Sequence, residues 1–164
     1  MTARFALPEP ILRAALPLLD NTVESAGTAT ARRSGSTLLV GDLQWISDDA
    51  YERREAQGLA VRSHGWAPRL VAAARSGYVP VFIHTHPGGQ AFFSDADDKV
   101  DVTIAEELHR ITGCSETASV VIAGTSDRPT LVARRVLDGV PGPAEDIRVA
   151  GPGLVLHRAA YRSK

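Results

Sequence analysis

Two histidines, a serine and an aspartate lie close together in the segment HTHPGGQAFFSDAD. The apolar, β-branched run at residues 79–83 predicts a short buried strand that ends at His84. Side chains at positions i and i+2 of a strand point to the same side, so the rings of His84 and His86 can approach one ion. The spacing therefore indicates a metal site at the end of this strand.

A third ligand is available from the helix that the sequence predicts after this segment. Ser94 is typical of a helix N-cap, and the helix then covers residues 95–111. Its apolar stripe consists of Ala96, Val100, Ile104, Leu108 and Ile111. Asp97 lies about 60° around the helix from Val100, at the rim of this stripe and close to the helix start. From there its carboxylate can reach an ion at the strand end.

Two histidines and one carboxylate leave the fourth position of a tetrahedral zinc ion for water, which is typical of a catalytic site. The residues therefore predict a zinc hydrolase. Other acidic residues compete with Asp97, although the helix dipole favours acidic side chains in a first turn in any case. We interpret most of this acidic cluster as solvated surface, with Asp101 as an alternative hydrogen-bond partner for a ligand. The competing residues are Asp95, Asp98 and Asp101.

The composition is that of one ordinary globular domain. The chain has 164 residues, of which 44% are hydrophobic, and its 18 basic residues nearly balance its 19 acidic ones. Without a strong surface field we expect neither a nucleic-acid partner nor a membrane partner. Prolines and charges interrupt the apolar residues 5–19, which also lack a cleavage site. This segment predicts neither a signal peptide nor a membrane span.

Cys114 is the only cysteine, so no internal disulfide can form and we expect a protein of the reducing cytoplasm. A thiol hydrolase built on Cys114 and His109 is a competing interpretation. A lone cysteine near a helix end is more often a small buried side chain. Only Lys99 and Lys164 are lysines among the 18 basic residues, a bias that indicates a GC-rich bacterial genome.

The remaining pattern predicts a mixed α/β order in which neighbouring strands are often antiparallel. Residues 139–153 contain four glycines and three prolines, which predicts a loop around a short strand at 147–149, followed by an edge strand at 154–157. Earlier in the chain we expect a helix at 10–20, a hairpin at 22–32 and 36–46, a strand at 59–62, a helix capped by Ser63, and strands at 118–124 and 130–137.

The string H-x-H-P followed by S-x-x-D, with ten residues between His86 and Asp97, resembles the motif of the JAMM (MPN+) metalloprotease family. The likeness extends more loosely over residues 24–137. It implies an α/β fold with a single MPN/JAB domain, cytidine-deaminase-like, in which helices flank a mixed sheet over residues 1–138. Residues 139–164 would form a Gly- and Pro-rich C-terminal segment, either an edge strand or a linker to a further domain.

The resemblance also implies roles for the site residues. His84, His86 and Asp97 would hold one zinc ion per chain, which lowers the pKa of bound water toward neutrality. Ser94 would donate its hydroxyl to the oxyanion of the tetrahedral intermediate. In the family a glutamate upstream, on the strand after the first helix, acts as the general base, and Glu24 in VESAG matches it.

Glu24 would accept a proton from water and deliver it to the departing amine. Other glutamates also lie upstream of the histidines, but none of them is predicted on a strand that follows a helix. These are Glu9, Glu52 and Glu55. The family resemblance therefore favours Glu24 as the base of an amide or isopeptide hydrolase.

Members of the family remove ubiquitin or ubiquitin-like proteins from lysines, which implies a deubiquitinase-like isopeptidase. Similar bacterial forms occur beside ubiquitin-like activating and conjugating enzymes, or fused to an adenylating domain. The expected partners are therefore a ubiquitin-like protein or its conjugate, and such enzymes. One alternative is an amide hydrolase of a sulfur-carrier pathway. Another is a non-catalytic scaffold, although scaffold relatives have usually lost the ligands that this chain keeps.

Overall fold

The computed structural model of the chain describes residues 4–152 and 154–159. None of the helices in these ranges is long and apolar enough to cross a membrane. The helices are α1 (Glu9–Ala15), α2 (Ser63–Arg75) and α3 (Asp95–Thr112), with 3₁₀ helices at Leu16–Asp20 and Asp48–Ala50. The strands are β1 (Arg4–Pro8), β2 (Ala26–Ser34), β3 (Thr37–Trp45), β4 (Tyr51–Glu55), β5 (Gly58–Val61), β6 (Val79–Pro87), β7 (Glu116–Thr125), β8 (Arg128–Leu137), β9 (Val140–Pro141), β10 (Ile147–Ala150) and β11 (Leu154–His157).

Nine strands of the described chain form one mixed sheet, in the order β11-β10-β1-β3-β2-β6-β7-β8-β9. Strand β6, which carries the two histidines, lies near its centre, antiparallel to β2 and parallel to β7. Strands β4 and β5 form a separate two-stranded sheet. The fold is therefore the mixed sheet flanked by helices that the sequence predicts.

Helices cover both faces of the large sheet. On one face α1 and the following 3₁₀ helix pack over a core that includes Phe5, Leu7, Leu38, Ile83 and Ile122. On the other face α2 and α3 enclose a second core with Trp66, Leu70, Phe82, Ile104 and Leu108. Because Phe82 and Ile83 are neighbours on β6, this strand is buried on both sides. That burial explains the continuous apolar run before the histidines.

The N-terminal region differs from the sequence prediction in two respects. Strand β1 was not predicted, and it lies parallel to β3 and β10 in the sheet. The single helix predicted over residues 10–20 is divided into α1 and the 3₁₀ helix Leu16–Asp20. Pro17 accounts for the division, since it has no N–H to continue an α-helical hydrogen-bond ladder.

Two element starts also differ from prediction. The strand predicted over residues 22–32 begins at Ala26, so Glu24 lies in the loop before β2 and not on a strand. Arg62, not Ser63, occupies the N-cap position of α2, and within the described chain no side chain caps this helix. Pro68 lies inside α2, in its second turn. The face that α2 presents to the sheet is apolar, and Trp66 and Leu70 on it are buried.

The C-terminal strands form one edge of the sheet. Strand β10 pairs in parallel with β1, and β11 pairs antiparallel with β10, so the short strand and the edge strand expected here are present. Gly153 and residues 160–164, which include Lys164, lie outside the described residues. The division of the chain at residue 138 stays a prediction.

Gly124, at the end of β7, supports the loop that follows the histidines. Its carbonyl accepts a hydrogen bond from the N–H of Gly88 at 2.7 Å. Its φ is 91°, and an added Cβ would lie 2.4 Å from the carbonyl oxygen of Arg128. We expect Gly124→Ala to lower the free energy of unfolding by about 1–3 kcal/mol, measured by urea denaturation, because of this strain and overlap.

Gly41→Ala is the matched control, since a Cβ added at Gly41 in β3 meets no atom within 4 Å. Its effect should stay within about 0.5 kcal/mol. Equal destabilisation by the two alanines would show that the strained backbone at Gly124 is not the cause.

Candidate metal centre

Strand β6 places the two histidines on the sheet face that α2 and α3 cover. His84 is buried, and the side chain of His86 is 11% exposed. The strand extends past His84 to Pro87, so both histidines are held in the hydrogen-bonded ladder with β7. Their Nε2 atoms are 3.1 Å apart. The sheet therefore directs both rings toward one point, as the i, i+2 spacing predicts.

The start of α3 brings Asp97 to the same point. Ser94 is the N-cap, as predicted, and it forms a capping box with Asp97. Oδ2 of Asp97 accepts hydrogen bonds from the backbone N–H of Ser94 at 2.7 Å and from its hydroxyl at 2.8 Å. Oδ1 lies 3.0 Å from Nε2 of His84. Oδ2 of Asp97 thus holds the helix start, and Oδ1 faces His84.

Within the described chain, His84, His86 and Asp97 are the one group of three metal-binding side chains whose ligand atoms lie within 4.8 Å of one another. Ligands about 2.0–2.1 Å from a tetrahedral zinc ion are about 3.3 Å apart. The distances of 3.1 Å between the two Nε2 atoms and 3.0 Å between Nε2 of His84 and Oδ1 of Asp97 are close to that value, and Nε2 of His86 lies 4.0 Å from Oδ2 of Asp97. The donor set and its spacing therefore fit a zinc ion.

The hydrogen bond of His86 identifies the nitrogen that is free to bind a cation. Its Nδ1 lies 3.0 Å from the carbonyl oxygen of Gln90. A carbonyl only accepts, so Nδ1 carries the hydrogen and the lone pair of Nε2 points into the cluster. The buried Nδ1 of His84 has no hydrogen-bond partner among the described residues. Among the described residues, the polar contacts of the His84 ring are therefore made by Nε2, the nitrogen that faces the cluster.

Glu24 reaches the cluster from the loop before β2. Its carboxylate is buried, with Oε1 3.8 Å from Nε2 of His86. The backbone N–H of Glu24 donates to the carbonyl of Glu55 at 2.8 Å, which joins this loop to β4. The structure thus brings Glu24 to the predicted ligands, although this residue does not lie on a strand. Of the other upstream glutamates, Glu9 pairs with Arg13 on the surface.

Two residues that sequence reasoning missed hold the Glu24 loop in place. Thr85, between the histidines, points to the opposite face of β6, where its hydroxyl accepts from the N–H of Ser25 at 2.9 Å. Arg54 on β4 donates to the Glu24 carbonyl at 2.8 Å and to the Ser25 hydroxyl at 2.5 Å. Because side chains alternate along a strand, the H-T-H pattern indicates that Thr85 points away from the two histidines. No pattern in the sequence indicates Arg54.

The charges of these groups depend on one another. Burial raises the pKa of Glu24 to about 7, against the effect of a charged His84. Burial disfavours the charged form of His84, but the hydrogen bond and charge of Asp97 outweigh it and raise the pKa of His84. Burial and the charge of His84 lower the pKa of His86.

Asp97 shows the strongest preference for its charged form. Burial opposes that form, but the hydrogen bond and charge of His84, together with the hydrogen bonds from Ser94, hold the pKa of Asp97 well below its usual range. The site therefore favours one positive charge beside Asp97, which a proton or a metal cation can supply.

A cleft of about 450 Å³ opens beside the cluster. One wall is the turn between β4 and β5, at Ala56 and Gln57, and the other is the loop after β6, at Gly88 and Gly89. The cleft is also lined by Glu24, His86 and Ser94. A ligand in this cleft thus meets three of the five side chains to which the sequence assigns chemistry, while His84 and Asp97 lie behind its lining.

The acidic residues around Asp97 have different environments. Asp95 is exposed, as predicted for a solvated first turn. Asp98 and Asp101 both form ion pairs with Arg134. Asp101 is buried, and the Ser119 hydroxyl also donates to it. Asp101, which the sequence suggested as a hydrogen-bond partner for a metal ligand, instead bonds Ser119 and a buried arginine that the helical pattern does not indicate.

Cys114 and His109 lie together at the C-terminal end of α3 but do not face each other as a catalytic pair in the described structure. Nδ1 of His109 lies 3.3 Å from the carbonyl oxygen of Cys114, not from its thiol. The thiol is directed at the carbonyl of Glu116 at 3.0 Å. These contacts favour the structural interpretation of Cys114.

Three hydrogen bonds join Ser94 to Asp97. Ser94→Ala removes the two that involve the hydroxyl, so we expect the free energy of unfolding of chelator-treated protein to fall by about 1 kcal/mol. Ser63→Ala is the matched control, because Ser63 begins α2 without capping it, and it should change stability by less than about 0.5 kcal/mol. Urea denaturation of both variants measures the difference. Equal small effects would contradict the capping role of Ser94.

Comparison with known proteins identifies the family of this chain. A model of prokaryotic homologs of the JAB domain matches residues 14–137, a range that contains Glu24 and the three candidate ligands. A comparison with curated proteins gives no match. The solution structure of protein DSY2949 from Desulfitobacterium hafniense is similar, with a TM-score of 0.57, 16% sequence identity, and coverage of 89% of this chain and 92% of that one. At this identity the likeness shows a common fold alone. Because the family match spans most of its length, the chain belongs to the family of prokaryotic JAB-domain homologs.

Proposed function

We propose that this protein is a zinc-dependent hydrolase of amide or isopeptide bonds that acts at the C-terminus of a ubiquitin-like protein. The observation that supports it is the convergence of His84, His86 and Asp97 on one point, with the carboxylate of Glu24 3.8 Å from one of the rings. Two imidazoles and one carboxylate are a donor set of zinc hydrolases, and they leave a coordination position for the reaction.

His84, His86 and Asp97 are the residues that would hold the ion. When bound, zinc supplies Lewis-acid activation of water and polarises the carbonyl of the scissile bond. JAB domains include hydrolases but can be non-catalytic. This chain retains the three donors and the adjacent carboxylate, which argues for the hydrolase.

Glu24 is the proposed general base and acid. Its carboxylate lines the cleft beside His86, so it can contact both the attacking water and the leaving nitrogen of a substrate bound there. It takes a proton from the water and transfers it to the amine, which must be protonated in order to leave. The hydrogen bonds of Glu55 and Arg54 to the Glu24 backbone fix the position from which it acts.

Ser94 is the proposed donor to the oxyanion, and it lines the same cleft. In the structure its hydroxyl donates to Oδ2 of Asp97, so the hydroxyl must turn away from Asp97 to reach a substrate oxygen. The backbone N–H of Ser94 also bonds Oδ2, at 2.7 Å, and it keeps Asp97 in place during that turn. Donation to a developing oxyanion is typically worth about 3 kcal/mol in amide hydrolases.

The family resemblance and the cleft support the proposed substrate class. The cleft volume of about 450 Å³ is in the range of ligand-binding sites, roughly 300–1,000 Å³. It lies between a turn and a glycine-containing loop, and an extended C-terminal tail with small residues suits such a passage. The resemblance also implies a carrier protein of a sulfur pathway as the alternative substrate, so the assay below includes both substrate types.

Purified protein should bind close to one zinc ion per chain. Asp97→Ala removes one of three protein ligands, so we expect its zinc affinity to fall by at least about 100-fold, measured by competition with a chromophoric chelator. Asp95→Ala, an exposed acidic residue of the same helical turn, should bind zinc like the wild type. Full retention of zinc by the Asp97 variant would remove this carboxylate from the site.

Glu24→Gln should keep the fold and the zinc content but lose hydrolysis, because an amide cannot accept the proton. We expect the rate of cleavage to fall by about 10²- to 10⁴-fold. Glu55→Gln is the matched control, since the side chain of Glu55 is exposed and only its backbone contacts the Glu24 loop. An active Glu24 variant would mean that another group is the base.

The substrates for this assay are a ubiquitin-like protein joined through its C-terminal glycine to a lysine side chain, and a carrier protein with one amino acid on its C-terminus. Mass spectrometry measures the release of the amine in each case. Cleavage of the lysine conjugate supports the proposed isopeptidase. Cleavage of the carrier adduct alone would replace it with the sulfur-pathway hydrolase.

A further inference from the structure

The first turns of α3 contribute Ser94 and Asp97 to the site but make little apolar contact with the sheet. The buried residues of this helix are Asp101, Ile104, Ala105 and Leu108. Within the described structure, no apolar side chain of α3 is buried before Asp101, since Ala96 is exposed and Val100 is half-buried. Hydrophobic packing thus holds the C-terminal half of α3 most firmly. Toward the functional end, partial apolar contacts come from Val100 and from Phe93 just ahead of the helix, and a directional attachment is added there.

Arg134 on β8 provides that attachment. Its Nε donates to Oδ2 of Asp101 at 2.7 Å, and its Nη1 donates to Oδ1 of Asp98 at 2.5 Å. Its guanidinium carbon lies 3.9 Å from the centre of the Phe93 ring, in a cation–π contact. Arg134 and Asp101 are each only 4% exposed, so water weakens this pair little. The Asp98 side chain is 52% exposed, so its pair with Arg134 is more strongly screened.

The three partners of Arg134 surround the capping box. Phe93 directly precedes Ser94, Asp98 directly follows Asp97, and Asp101 lies one helical turn further on. A single planar side chain therefore contacts the chain on both sides of the segment that supplies the third ligand. A shift of the helix start by a fraction of an ångström would change all of these contacts together.

The sheet connects Arg134 rigidly to the two histidines. Arg134 on β8 is in register with Ser119 on β7, and Ser119 is in register with Phe82 on β6, two residues before His84. The hydroxyl of Ser119 also donates to Asp101. The start of α3 is thus tied to the same hydrogen-bonded ladder that carries the imidazole ligands.

We propose that Arg134 is a positioning residue, which fixes the start of α3 on the sheet so that the Asp97 carboxylate meets His84 and His86 at the distance that a zinc ion requires. The inference rests on the proposed function, namely that these three residues bind zinc. It assigns to Arg134 no contact with substrate or ion, because Arg134 acts through Phe93, Asp98 and Asp101.

Arg134→Lys separates positioning from charge. Lysine keeps the positive charge next to Asp101, but its single ammonium group cannot pair with two carboxylates in a fixed plane and stack on a ring as well. We expect the zinc affinity of this variant to be about 10- to 100-fold lower than that of the wild type, a loss typical of residues that orient metal ligands. Competition with a chromophoric chelator measures it.

A second variant addresses the risk that Arg134→Lys fails to fold. In the double variant Arg134→Met with Asp101→Asn the buried pair is neutral, and the amide oxygen still accepts the hydrogen bond from Ser119. Circular dichroism establishes that it is folded, and we expect the same loss of zinc affinity. Arg135→Lys is the matched control, because Arg135 is the next residue on β8 and pairs with Glu116, away from α3. It should bind zinc within about threefold of the wild type.

Hydrogen exchange in chelator-treated protein provides a readout that a general loss of stability would not produce. In the Arg134 variants the amides at the start of α3, near Asp97 and Asp98, should exchange faster. Those near Ile104 and Leu108, which the apolar core holds, should not change. A uniform increase along α3 would assign Arg134 to overall stability and overturn the proposal.

The zinc titration distinguishes this inference from the function on which it rests. Weak binding by both Arg134 variants and normal binding by the Arg135 variant supports the inference. Folded Arg134 variants with wild-type affinity would overturn it and leave the zinc site itself intact. A wild-type protein that takes up no zinc would overturn the proposed function and the inference with it.

Discussion

The two oxygens of Asp97 face different partners, and the geometry of the site depends on that division. Oδ2 accepts two hydrogen bonds from Ser94 and closes the first turn of α3, while Oδ1 faces His84 at 3.0 Å. A carboxylate held in this way cannot rotate without losing the cap. The place where α3 begins relative to β6 therefore determines the position of the third candidate ligand.

The candidate base is placed by different elements from the ligands. Glu24 lies before β2, and it is held by backbone contacts with Glu55 and Arg54 from the small β4–β5 sheet. Thr85 ties the next residue of that loop, Ser25, to the back of the histidine strand. One strand thus presents the candidate ligands on one face and anchors the candidate base through the other. That arrangement requires a central strand with partners on both faces, which is how β6 is built.

The parts that were predictable from sequence are those set by local geometry. The convergence of His84 and His86 follows from strand alternation, and the cap at Ser94 follows from helix-start chemistry. The position of Glu24 was identified only through family resemblance, since no local pattern links this loop to residues 60 positions away. Strand β1 was not predicted because its short apolar run precedes a helix and pairs with β10, at the other end of the chain.

The buried ion pairs of Arg134 were also beyond prediction, for a physical reason. A helical pattern shows which side of α3 faces the sheet. It does not explain a carboxylate on that side, at Asp101, unless the partner of that carboxylate on β8 is known. Burying an ion pair costs much of what its attraction returns, and an apolar pair of similar volume is often at least as stable. Stability alone therefore gives no reason to place Arg134, Asp98 and Asp101 here.

An apolar contact, unlike a hydrogen-bonded ion pair, has no preferred direction. A guanidinium bound to two carboxylates and an aromatic ring is instead held in a preferred planar geometry. The C-terminal half of α3 needs only burial, and Ile104 and Leu108 provide it. The N-terminal half must deliver a carboxylate to within a few tenths of an ångström of a point on another element. The change from apolar to ionic contacts along one helix corresponds to that change in requirement.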